Sequence, residues 1–118
     1  GRKGAEFNII KNAFNFLSDY SYSYEAWIGP SISKSYYLVN ENIRKRFVSL
    51  NKKYEEFFFK SNDNLHMDLS GIATFQLKEN NVDNIYYSNL CTFNNYKELY
   101  SFRKFSDFKR FGTFVWIE

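Results

Sequence analysis

The sequence predicts an α+β fold, a largely antiparallel five- or six-stranded sheet with helices packed on one face. Three observations predict it. The chain opens on an apolar stripe at helical spacing, Phe7, Ile10, Phe14 and Leu17. Strict two-residue alternation then runs from Tyr20 to Ile28. Further short alternating runs follow, separated by polar turns. With 118 residues and no repeat or Gly/Ser linker, residues 8–118 read as a single domain. Such a domain buries roughly 65% of its unfolded surface, enough for a core without a disulfide or metal staple. Gly1-Arg2-Lys3-Gly4 is set aside as a remnant foreign to the fold, and residues 1–7 lead into the first helix.

The first helix is expected over Glu6–Ser18, with Ile9, Ala13 and Phe16 widening the stripe. In the strand Tyr20–Ile28, one face carries Tyr20, Tyr22, Tyr24, Ala26 and Ile28. The other carries Ser21, Ser23, Glu25 and Trp27, a polar face that leaves Trp27 partly exposed. Gly29-Pro30 reads as a turn into a second strand, Ile32–Val39, making an antiparallel hairpin. From Asn40 to Ser61, Ile43, Phe47, Leu50, Tyr54, Phe57 and Phe58 share a helical face, with Asn40 placed to cap it. Two strands, Ile43–Leu50 and Tyr54–Lys60, are the competing reading. Beyond the loop at Ser61–Asn64, Leu65, Met67 and Leu69 alternate with polar residues. Gly71 marks a bulge, and Ala73, Phe75 and Leu77 resume on the shifted parity. A polar turn at Glu79–Asn84 precedes a strand over Ile85–Phe93. A short helix begins at Tyr96, and Thr113–Ile117 reads as a closing strand.

Aromatic residues make up 22% of the chain. Tyrosine beyond the needs of a core suits a binding surface, although a bias toward AT-rich codons yields the same composition. The net charge of +3 is mild for a nucleic-acid binder. Cys91, the one cysteine, rules out an intrachain disulfide and reads as a small core residue. No apolar run approaches the roughly 18 residues of a membrane span. A cytosolic protein without cofactor is the expectation.

Catalytic signatures are sparse. His66 and Asp68, two apart in an extended run, share a face on which the carboxylate could orient the imidazole as a base; a solvated stripe of a strand explains them equally. One histidine and one cysteine fall short of a metal ligand set. Glu55-Glu56 and Asp63 near Asp68 are carboxylate pairs of the kind glycosidases need, and also ordinary surface charge. No Gly-rich phosphate loop, nucleophile elbow or CxxC occurs. Two basic clusters, Arg44 to Lys53 and Arg103 to Arg110, interleave cations with aromatic rings in part, as single-strand binders do.

In size, in its Phe/Tyr/Asn/Lys-rich character and in the stretch Tyr22-Ser23-Tyr24-Glu25-Ala26-Trp27-Ile28-Gly29-Pro30, the chain resembles bacterial immunity proteins that neutralise polymorphic and contact-dependent growth inhibition toxins. The resemblance implies a non-catalytic module that binds a cognate toxin domain. Glu25, Trp27, Glu55, Glu56, Asp63 and Asp68 are then the candidate contacts. A small nuclease or nucleic-acid-binding domain is the alternative, and a curved sheet around a small-molecule pocket is a third.

Overall fold

The structure, a computed structural model, describes residues 1–17, 23–106 and 109–112. Asn8 adopts a left-handed conformation (φ 50°), which asparagine tolerates better than most residues. The expected first helix is therefore two: α1, Arg2–Glu6, and α2, Ile9–Leu17. The segment set aside as a remnant is structured, and α1 packs Ala5 into the core. In α2 the stripe Ile10, Phe14 and Leu17 is half-buried, and Phe14 meets Tyr24 edge to face at 5.2 Å.

The fold is α+β, but its sheet differs from the expected one. β1, Glu25–Ile28, pairs in parallel with β4, Asn84–Tyr87; β2, Phe58–Ser61, pairs antiparallel with β3, Asn64–Met67. These are two separate two-stranded sheets among the described residues. Gly29-Pro30 does not reverse the chain into a hairpin. Ser31 continues the parallel path, donating to the Leu90 carbonyl at 3.2 Å and accepting from the Thr92 N–H at 3.0 Å. Of the expected strand Ile32–Val39 only a bridge between Leu38 and His66 remains. The strand expected over Ile85–Phe93 ends as a ladder at Tyr87. Ser18 at the end of the expected first helix, residues 20–22 of the expected strand Tyr20–Ile28, and the closing segment Thr113–Ile117 lie outside the described residues.

The segment from Asn40 to Ser61 divides between its two readings. Asn40 caps α3, Glu41–Leu50, its side chain accepting from the Ile43 N–H at 3.1 Å. A 3₁₀ helix, Lys52–Phe57, then leads into β2. Asp68 caps α4, Leu69–Lys78, by accepting from the Gly71 N–H at 2.8 Å. Gly71 is thus in the first turn of a helix and not in a bulge. Alternation at Ala73, Phe75 and Leu77 suggested a strand, while the fully buried residues of this segment, Ile72 and Gln76, stand four apart as in a helix. The expected helix from Tyr96 is displaced to α5, Phe102–Phe105.

Phe47, Met67 and Ile72 are fully buried, with Tyr37, Tyr54 and Phe58 around them. Tyr54 meets Phe47 and Phe75 edge to face at 5.5 and 5.4 Å, an arrangement that aromatic quadrupoles favour. This core anchors α4, which packs against α1, α2 and β1. The start of α4 is thereby held beside the ends of β1 and β4.

Candidate functional site

A cavity of about 250 Å³ opens there. Its walls are the segments that leave the carboxyl ends of the parallel strands β1 and β4, closed by the first turn of α4. Ligands of parallel sheets bind at this end of the strands, where the chain turns outward and offers backbone groups and loop side chains. The lining is rich in hydroxyls. Ser31 Oγ lies 3.0 Å from Ser70 Oγ, bridging the β1 exit to α4. Lys34 and Asp68 bring opposite charges to the lining.

Cys91 lines the cavity half-buried. Its Sγ accepts the Ser33 N–H at 3.3 Å. Burial pushes the thiol up, but the Ser33 hydroxyl and the backbone N–H groups of Ser33, Asn94 and Phe93 outweigh it and hold the thiol below its ordinary value.

His66 is buried in β3 and stacked on Phe59 at 5.2 Å. Its Nδ1 lies 3.0 Å from the Lys34 carbonyl, which can only accept, so the proton is on Nδ1. The expected pairing of His66 with Asp68 does not form. The histidine instead fixes the backbone that presents Lys34, and the aspartate caps α4.

The other expected contact residues are scattered. Glu25 and Trp27 are on the exposed face of β1, where Trp27 is 54% exposed opposite Tyr86. Glu55 holds Arg44, Glu56 is exposed on the 3₁₀ helix, and Asp63 sits in the β2–β3 turn with φ 62°. Asp68 alone among them lines the cavity. Ser31, Ser33, Lys34, Ser70 and Cys91 escaped the sequence reading. The signal was the small, polar loop Gly29-Pro30-Ser31-Ile32-Ser33-Lys34 directly after a strand, where function concentrates.

The basic clusters do not form an open nucleic-acid platform. Arg44 pairs with Glu41 and Glu55, and Arg46 with Glu6. Arg103 lies over Tyr37, and Lys104 over Phe93 and Tyr96, so the chain's own cations cover the rings that bases would need.

Known proteins resemble this chain in sequence and fold. Over residues 1–118 the chain matches the family described as multi-copper polyphenol oxidoreductase laccase. It is 22% identical over 117 residues to the purine nucleoside phosphorylase YfiH of Shigella flexneri, covering 99% of this chain and 48% of that protein. To the purine nucleoside phosphorylase of Haemophilus influenzae it is 29% identical over 102 residues, covering 79% and 39%. The solved structure of Neisseria meningitidis protein NMB0706 superposes with a TM-score of 0.74 at 19% identity, covering 88% of this chain and 43% of that one. The chain spans about half the length of the curated relatives it matches.

These findings overturn the resemblance to immunity proteins and the expectation of a non-catalytic module bound to a toxin domain. The relatives bear the names of enzymes that act on small molecules. Copper, which the family description names, is not accommodated by this chain's own side chains. Among the described residues no three His, Cys, Asp or Glu side chains converge, and His66 is committed to a backbone carbonyl. Copper sites draw on imidazole and thiolate ligands, and the sequence has one of each. No helix of the described residues is long and apolar enough to cross a membrane. With the match running from its first residue to its last, the chain belongs to the multi-copper polyphenol oxidoreductase laccase family.

Proposed function

We propose that this chain carries part of the active site of an enzyme that cleaves purine nucleosides by phosphorolysis. The observation that carries the reading is the cavity at the carboxyl ends of β1 and β4, lined by serine hydroxyls with Lys34 and Asp68, in a chain whose curated relatives are named for that reaction. In phosphorolysis a phosphate oxygen bonds to C1′ of the pentose as the glycosidic C–N bond breaks. The base leaves with the bonding electron pair and takes up a proton, and ribose 1-phosphate remains. A positive side chain suits the phosphate, and a carboxylate beside hydroxyls suits the pentose diol. Both substrates are soluble metabolites, and a cytoplasmic location suits them.

The test is incubation of the protein that bears this chain with inosine or adenosine, with and without phosphate. Free base released only when phosphate is present supports the reading. No release under either condition overturns it.

A further inference from the structure

The polar cavity does not stand alone. Ile28, Ser31 and Ser70 are shared with a second cavity of about 180 Å³, whose other walls include Ile9, Ile10 and Ala73. Gln76 also lines it. This side chain is 2% exposed, and its Nε2 donates to the Ala5 carbonyl at 2.7 Å and to the Tyr54 hydroxyl at 2.9 Å. Its Oε1 is buried without a hydrogen-bond partner among the described residues. Turning the amide over would set Oε1 against the Ala5 carbonyl, two acceptors face to face, so the amide orientation is fixed. Buried acceptors are rarely left unpaired, and an unpaired one calls for a partner such as a water or a ligand group.

We propose that the two cavities are compartments of one nucleoside site. The pentose and phosphate occupy the polar cavity, and the purine base occupies the apolar one, with Gln76 Oε1 accepting an N–H from the edge of the base. The assignment rests on the phosphorolysis reading for its substrate class. Size supports it: neither cavity alone reaches the roughly 300 Å³ at which small-molecule sites begin, and together they do. Chemistry supports it as well. A purine has apolar faces that suit Ile9, Ile10 and Ala73, and polar edges that need few but well-placed partners. A pentose phosphate has the opposite character, and it matches Lys34, Asp68 and the serines. Ser31 and Ser70, joined by their hydroxyls at 3.0 Å and common to both cavities, then border the position of the glycosidic bond from one side.

Calorimetric titration of inosine and, separately, of ribose 1-phosphate tests this with two variants. Ala73→Leu fills the apolar cavity and is expected to weaken inosine at least tenfold while leaving ribose 1-phosphate within twofold. Lys34→Ala is expected to weaken ribose 1-phosphate at least tenfold. Unchanged inosine affinity in folded Ala73→Leu overturns the assignment, as does the absence of inosine binding to the unsubstituted protein at millimolar concentration. Amide chemical shifts of the unsubstituted protein check the result without a variant. Inosine must move Ala73 and Gln76 more than ribose 1-phosphate does, and equal shifts overturn the proposal. The two readings fail separately. This binding pattern without base release removes phosphorolysis and keeps the two compartments; base release with unaltered binding in both variants does the reverse.

Discussion

Cys91 and Gln76 are the residues whose surroundings depart most from what their type suggests. Around Cys91, backbone N–H groups converge on sulfur and favour the thiolate despite partial burial. The folded thiol therefore ionises at lower pH than the unfolded one. Its contribution to stability is present above the unfolded value and is lost as pH falls through the folded one. Alkylation by iodoacetamide across a pH series should reach half its maximal rate at lower pH in the native protein than in urea. Coincident profiles would show that the N–H groups do not act on the sulfur. Gln76 joins α4 to the Ala5 carbonyl and the Tyr54 hydroxyl. Gln76→Leu relieves the unpaired Oε1 but strands both partners, each at about 1–3 kcal/mol. A net loss of about 2 kcal/mol or more in urea denaturation is expected, and a neutral or stabilising result would show that water satisfies both.

At the scale of elements, caps decide where helices start. Asn40→Ala removes the side-chain acceptor at the head of α3 and should cost about 1 kcal/mol. Gly71 in α4 sets two effects against each other. Alanine there gains about 1 kcal/mol of helix propensity, but its Cβ would stand 2.8 Å from Phe57 Cδ1 and 2.9 Å from Asp68 Cγ. Overpacking costs about 1–3 kcal/mol and here also pushes on the cap, so Gly71→Ala should destabilise. A higher melting temperature in that variant would mean that Phe57 yields freely. On the β1–β4 ladder, Trp27 is more than half exposed. Trp27→Ala should therefore change stability by no more than about 1 kcal/mol, whatever its role in contacts.

For the whole molecule, the distribution of charge matters more than its sum. The net charge of +3 is mild, and within the two basic clusters Arg44, Arg46 and Lys53 pair with carboxylates while Arg103, Lys104 and Arg110 lie over rings. A surface of that kind has few phosphate contacts to offer and little counterion release to gain. Gel shifts with RNA or single-stranded DNA at low salt should show no complex. Salt-sensitive binding there would return the basic clusters to consideration.

The sequence by itself determined the α+β class, the cap that Asn40 offers to a helix, and the alternation that leaves Trp27 outward, because each depends on neighbours within a few residues. Three things only the tertiary structure decided. The parallel pairing of Glu25–Ile28 with Asn84–Tyr87 joins segments more than fifty residues apart, and alternation names a strand's faces but not its partner. The run after Asp68 became a helix because its buried positions are set by the core around Ile72 and Tyr54, while its sequence carries two-residue and four-residue spacings together. The candidate site brings together serines, Lys34, Asp68 and Cys91 from three separate segments. None of them is unusual where it stands in the chain, and their chemistry arises only from the parallel ladder that sets Ser31 beside Cys91 and the helix that brings Ser70 within 3.0 Å of Ser31.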